Sequence, residues 1–394
     1  MRLLFLVQGE GRGHLTQAIA LAQIVQEAGH TVVAALVGVA EGRPVPPFFA
    51  ESFGTSIESV ASPALVYSPR TNELLMLKTM LATVGQLRLL RQSTRQIRDA
   101  IERYKPDLVV NFYEPLGGLT YARYWPEVPM VCVAHQYLAF HPQFVFPVGK
   151  WPARLAFLFN SWLTSIGAVT RLALSFDALP HVPARRLRVV PPLLRREVTH
   201  QEPGLNNYWL AYLTQPGLAT RLYEAHRQHP EVPLRFFNPA TTEPDQIIDE
   251  TLTCYRIDGP RFIEAMRQCR AVVTTAGFES VCEAFYLNKP VLMMPQPNHY
   301  EQHCNALDGQ RAGVGVAATS LDFSALIDYL PHHDFGRNQT FRQWHGQCGP
   351  LFLDALAQAG HSETKRIQWP VFLLGRKKAE SDYEHQATLH RQPV

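Results

Sequence analysis

The chain has 394 residues, 46% of them hydrophobic and 18% charged, with 37 Lys and Arg against 34 Asp and Glu for a formal charge of +3. This balance excludes a disordered chain, and without a long basic block it gives no reason to expect nucleic acid as a partner. The length exceeds one ordinary domain, so two of similar size are expected.

Strand and helix signals alternate from the start. Arg2 to Val7 reads as a strand whose apolar run is too short for a signal peptide and leads into a glycine-rich turn, GEGRGH, Gly9 to His14. Leu15 to Ala28 follows with helical character and stops at Gly29. Thr31 to Val37 is the next strand, and Leu74 to Tyr104 is a long, basic, helix-like region ended by Lys105-Pro106. Asp107 to Asn111, Met130 to Ala134 and the short Arg188 to Val190 complete the strands of the first half. The most apolar stretch, Leu155 to Phe176, is interrupted by Asn160, Ser161, Thr164, Ser165 and Arg171, so it falls short of a membrane span of roughly 18 clean apolar residues.

Arg195 to Asn207 is polar, carries Pro203-Gly204 and has no periodicity; it reads as an interdomain linker. The pattern then restarts with Tyr208 to Leu213 (strand), Leu218 to His229 (helix), Leu234 to Phe237 (strand) and Pro260 to Cys269 (helix). The most informative segment follows, VVTTAGFESVCEAFYLNKPVLMMPQPNHYEQHCNA, Val272 to Ala306. It predicts a strand (Ala271 to Thr274), a turn on Ala276-Gly277, a helix carrying Glu283, a strand (Pro290 to Met294) and a proline-rich loop ending at Glu301-Gln302, with Asn305 behind. The expected domains are 1–194, a linker 195–207, 208–345, a C-terminal helix and extension 346–375, and a polar tail 376–394. The class is α/β: repeated βα units imply parallel sheets covered on both faces, two Rossmann-like domains with ligands in the cleft at the carboxyl ends of the strands.

The six cysteines show no C-x-x-C pairing and mostly sit in apolar segments, which predicts buried free thiols and a reducing, cytoplasmic setting. Cys282 and Cys304 are read as packing residues. His299 and His303 stand at i, i+4 but lack a third ligand, so no metal site is expected. A strand, a small-residue turn and a helix place free backbone N–H groups where a phosphate can sit. Two carboxylates and an amide downstream could grip hydroxyls, and diphosphate plus hydroxyls describes a nucleotide sugar. In GEGRGH, Gly11 and Gly13 let the backbone approach a ligand. The spacing departs from the dinucleotide fingerprint, and no acid closes the second strand, so NAD is disfavoured. No Lys-Ser or Lys-Thr closes the turn as a P-loop would require.

TTAGFESVCEA resembles the donor-binding box of the GT-B glycosyltransferases, in the branch of the UDP-glycosyltransferases, the lipid-intermediate N-acetylglucosaminyltransferases of cell-wall synthesis and the galactolipid synthases. PQPNHYEQHCNA is similar to the sugar-contacting end of that box, and GEGRGH resembles the first loop, whose histidine faces the acceptor. NFYEPLGGL followed by VPMVCVAHQ resembles a bacterial and archaeal subgroup. The resemblance implies a GT-B fold and transfer of a sugar from a UDP-sugar to a hydroxyl, with inversion. The acceptor would be lipid-linked or a cell-envelope glycan. It also implies that Leu351 to Ala359 crosses back onto the first domain.

Carried over to this sequence, the resemblance has Gly277 and Ser280 holding the diphosphate, Glu283 the ribose hydroxyls, and Glu301 and Gln302 the sugar. Thr275 stands where a histidine usually touches the phosphate, so its contact is weaker. Glu279 replaces an Asn, and its carboxylate must point away from the phosphate. His14 is the first candidate for general base, since a neutral imidazole suits proton removal at physiological pH. Glu114 and His135, at the ends of their strands, are the reserves. Each has a plainer reading: His14 as a helix cap, Glu114 as an orienting or turn residue, His135 as a satisfied strand-end histidine. No D-x-D motif occurs, so neither metal nor resident cofactor is expected, and the helix dipole, hydrogen bonds and Arg12 would neutralise the leaving group. The aromatic region Phe140 to Phe176 reads as a core helix and acceptor wall; the competing reading is a peripheral contact at the inner membrane face. Two other functions stay open, an epimerase acting on UDP-N-acetylglucosamine and a non-catalytic nucleotide-sugar-binding protein.

Overall fold

The computed structural model describes residues 1–62, 86–213, 216–238 and 240–362. The start of the basic region, 74–85, and the tail from Arg376 lie outside them.

In the first half, strands β1 (Arg2–Gln8), β2 (Thr31–Val39), β3 (Ile57–Ala61), β4 (Leu108–Phe112), β5 (Met130–Ala134), β6 (Thr170–Leu174) and β7 (Leu187–Val190) form one sheet. Their order is β3-β2-β1-β4-β5-β6-β7 and every neighbouring pair is parallel. The runs LLFLV in β1 and LVVNF in β4 are buried throughout, as strands covered on both faces must be. The cover comes from helices α1 (Gly13–Glu27), α2 (Pro47–Phe53), α3 (Leu87–Tyr104), α4 (Pro115–Tyr124) and α5 (Trp151–Thr164). The apolar stretch 155–176 divides into the end of α5 and β6 rather than forming one helix. Gly167 makes the break: its φ is +81° and a Cβ there would lie 2.7 Å from Tyr121 Cβ.

The linker region carries a short helix, α6 (Arg196–Thr199), where no element was expected. Beyond it lie β8 (Trp209–Tyr212), α7 (Ala219–Gln228), β9 (Leu234–Phe237), β10 (Asp245–Ile247), β11 (Leu252–Tyr255), α8 (Gly259–Gln268), β12 (Ala271–Thr274), α9 (Phe278–Tyr286), β13 (Val291–Met293), α10 (Tyr300–Ala312) and β14 (Gly315–Ala317). The second sheet runs β10-β11-β9-β8-β12-β13-β14, parallel except for β10 against β11. Helices α11 (Ser324–Tyr329), α12 (Phe335–His345) and α13 (Cys348–Gly360) complete the described chain.

Each sheet reverses its winding once, between β1 and β4 in the first and between β8 and β12 in the second. A parallel sheet opens a crevice at such a reversal, beyond the carboxyl ends of the strands. The two halves are joined by an apolar cluster that contains Phe5, Val110 and Phe176 together with Phe278, Val281 and Phe341. α13 packs on β4, β5 and β7 of the first sheet, Arg188 holds Asp354 at 2.7 Å, and Trp344 Nε1 donates to Ser175 O at 3.0 Å. All six cysteines are free and buried. Among the described residues no helix is long and apolar enough to cross a membrane.

Candidate active site

The turn after β1 is tied down at Gly9, whose N–H donates to Gly38 O at 2.8 Å; a Cβ there would stand 2.6 Å from that oxygen. Gly11 follows at φ +82°, and α1 starts at Gly13, with His14 in its first turn. His14 Nδ1 lies 3.2 Å from Gln17 Oε1, one turn further along. Its Nε2 lies 3.5 Å from Gln136 Nε2, and its ring stacks on Tyr113 with centroids 5.5 Å apart. Tyr113 holds φ +58°, and its hydroxyl is fixed by Ser161 Oγ at 2.8 Å and by Asn160. Burial lowers the pKa of His14, partly opposed by the charge of Glu301 from the other half. The imidazole is therefore neutral at physiological pH. Arg12, exposed beside it, lies 4.2 Å over the Phe48 ring.

The turn after β12 faces this one. Ala276 is buried at φ +61°, a region that L-residues rarely occupy, and it swings the chain into α9. Gly277 caps α9 with no side chain bonded to the helix N–H groups, and a Cβ on it would meet only Ser280 Oγ, at 3.6 Å. Ser280 Oγ donates to Gly277 O at 3.1 Å. There is room and an uncovered positive helix end here. The two turns touch: a Cβ on Gly13 would have Glu279 Cγ, at 3.5 Å, as its neighbour. Gln17 Nε2 donates to Glu279 Oε1 at 2.5 Å, so this carboxyl is turned onto α1. Burial pushes its pKa up to about 8, with Glu283 adding to the rise while Gln17 and Arg195 oppose it.

The remaining candidates separate. Glu283 is 2% exposed, and both its oxygens are taken by Arg195, Nε and Nη2 each at 2.5 Å. The partner this lone acid requires is here a guanidinium from the supposed linker. Thr275, the expected phosphate contact, is fully buried just past the end of β12. Gln302 Oε1 accepts from Gln296 N at 2.8 Å and braces the proline-rich loop. Glu301 stays partly exposed, and its charge acts on His14, Tyr113, His135 and His299.

The reserve bases are both built in. Glu114 caps α4 through Leu116 N at 3.1 Å and accepts from Ser62 Oγ at 2.7 Å, and burial raises its pKa to about 7. Its carboxyl fills the place a side chain at position 38 would occupy. His135 Nδ1 donates to Leu174 O at 2.8 Å, and its ring lies flat on Phe278 at 3.9 Å, which makes it a pin between the halves. Its Nε2 faces Asp308 at 3.9 Å; Asp308 is held by Arg311, which also grips Asp177. Neither is open to an acceptor. Among the described residues no three His, Cys, Asp or Glu side chains group as a metal site.

Gln17, Gln136, Tyr113 and Arg195 escaped the sequence reading. Gln17 alone had a signal, its i+3 spacing from His14.

The family model described as glycosyl transferase family 1 matches residues 1–332. No curated protein sequence matches the chain. Among solved structures, it is similar to a UDP-glucosyltransferase from Polygonum tinctorium capable of glucosylating indoxyl, with TM-score 0.64 and 14% identity over 92% of this chain and 98% of that one. It is also similar to a Phytolacca americana UGT2 complexed with UDP-2fluoro-glucose and pterostilbene (TM-score 0.62, 12% identity, 92% and 100% covered). The SsfS6 glycosyltransferase of Streptomyces sp. SF2575 matches at TM-score 0.55 and 16% identity, over 89% and 96%. These likenesses identify the fold as GT-B.

Proposed function

Since this chain belongs to glycosyl transferase family 1 and is a glycosyltransferase of the GT-B fold, we propose that it moves a sugar from a UDP-sugar to an acceptor hydroxyl, with inversion and without a metal ion. The observation that carries this is the contact between the two turns, which sets the uncovered start of α9 opposite His14. On this reading the diphosphate sits on the N–H groups at Gly277 and on Ser280, and Glu301 takes sugar hydroxyls. His14 Nε2 removes the acceptor proton as the acceptor oxygen bonds to the anomeric carbon. The bond from that carbon to the diphosphate breaks on the opposite face. The departing charge falls on the helix start and on Arg12. A UDP-type donor is named for two of the similar structures, which supports UDP here.

An apolar or lipid-linked acceptor suits the exposed side chains Val145, Val148, Trp151 and Leu155, next to Lys150, whose Nζ meets His303 of the other half at 3.2 Å. The same edge would allow peripheral contact with the inner membrane face of a cytoplasmic enzyme. Flotation with liposomes at low salt checks this, and no association removes it. Epimerisation is less well supported, because Glu114, Glu279, Glu283 and Asp308 are all engaged in bonds within the protein, whereas that chemistry needs several carboxylates around the sugar. A thermal-shift panel of nucleotide sugars tests the central reading: the true donor raises the melting temperature most, by mass action. No response to any nucleoside diphosphate sinks it. Product analysis without an acceptor separates transfer from epimerisation.

A further inference from the structure

We propose that Glu279 and Gln17 form a positioning relay across the domain boundary, in which the donor-side helix α9 decides which nitrogen of His14 carries the proton. The inference rests on the reading of His14 as the base and adds what makes it one.

Gln17 is 3% exposed, and both ends of its amide are used. The NH2 end donates to Glu279 Oε1 at 2.5 Å, which turns the carbonyl end to His14 Nδ1 at 3.2 Å. A carbonyl only accepts, so Nδ1 must be the protonated nitrogen, and a neutral ring then keeps a bare lone pair on Nε2. Nε2 is the nitrogen directed away from α1, toward Gln136. If the amide turned over, its NH2 would face Nδ1, the ring proton would move to Nε2, and the base would be lost. Glu279 resists this because Oε1 serves as an acceptor whether or not Oε2 holds a proton.

The groups around the relay come from several elements. Glu301 on α10, Tyr113 after β4 and Gln136 after β5 surround His14, while Glu283 on α9 and Arg195 before α6 act on Glu279. Among them, only Gln17 bonds Nδ1. Glu279 stands two residues past Gly277, on the helix proposed to receive the diphosphate. The base is therefore set only while the donor half is docked on α1. With α9 withdrawn, only the NH2 of Gln136, 3.5 Å from Nε2, is left to favour that tautomer.

The test reads the tautomer directly, by ¹⁵N NMR of the histidine side chains in the full chain, with His14→Ala assigning the signal. The wild type should show protonated Nδ1 and free Nε2. Glu279→Leu should move the signal to a mixture or to protonated Nε2, while Glu279→Gln, which keeps a carbonyl toward Gln17, should restore it. Glu279→Gln is nearly isosteric and should fold. A wild-type ring protonated on Nε2, or a tautomer unmoved by Glu279→Leu in a protein of normal melting temperature, overturns the relay. Loss of His14 as the base would show separately, as undiminished UDP release by His14→Ala from the donor found by thermal shift.

Discussion

The turn after β1 and the turn after β12 stand at the same place in their sheets, beside the reversal of winding, yet their contents differ. The first is filled: His14 lies between Tyr113, Gln17 and Gln136, and a Cβ at Gly9 would collide with backbone. The second is left open, with space above Gly277 and no side chain capping α9. A group that moves a proton must be held at one angle and desolvated enough to stay neutral. A group that binds a diphosphate needs bare N–H donors and volume. In the proposed function the same strand-turn-helix unit would serve both, and the residues beyond the turn decide which.

The contrast can be broken first at the filled turn. His14→Ala should slow UDP release about 10²- to 10⁴-fold, the usual worth of a general base, and leave UDP binding unchanged. A kinetic assay paired with calorimetry reads both, and equal loss of binding would contradict the division of labour. Next is the support beneath the open turn. Arg195→Leu leaves Glu283 buried without its partner and should cost roughly 3 kcal/mol of stability, most of it recovered in Arg195→Leu/Glu283→Leu. Denaturant unfolding measures it, and no recovery in the double variant would mean that the pair does more than satisfy itself.

At the open turn, Gly277→Val fills the space over the helix start without demanding a disallowed backbone angle, since φ is −67°. UDP affinity should fall at least tenfold, about 1.4 kcal/mol. Unchanged affinity would move the diphosphate elsewhere. The smallest effect is on pH. Glu114 and Glu279 have pKa values raised from 4.5 to about 7 and about 8, so the folded state holds their protons longer than the unfolded chain. Their contribution is present at low pH and is lost as pH rises from about 4.5 through about 8. Melting curves should show this decline, and Glu279→Gln should flatten its upper part.

Strands with continuous apolar runs, such as β1, β5 and β12, were legible because burial on both faces leaves few alternatives. β3, β6, β10, β11 and β14 were not: β6 reads as part of the apolar helix of 155–176, and the others are short, partly exposed strands whose identity depends on neighbours distant in the chain. At the site, GEGRGH and TTAGFES disclosed the turns, because glycine and small residues at a strand end have few other uses. Sequence could not show which carboxylates face outward. Glu279, expected only to point away from the phosphate, is turned onto α1, and Glu283, one helical turn on and expected at a ribose, is turned onto Arg195. Arg195 gave no signal at all, since its partner lies 88 residues away.

The return of α13 to the first sheet has a mechanical meaning. The chain crosses between the halves twice, once through 195–207 and once from α12 into α13, where Trp344 is anchored to Ser175 and Arg188 to Asp354. Two crossings define a line, and a body held along a line has a single rotation left to it. Any opening of the cleft is then a swing about one axis, which carries Gly277, Glu279 and Glu301 along a common arc away from His14. The reverse swing brings all three groups back together.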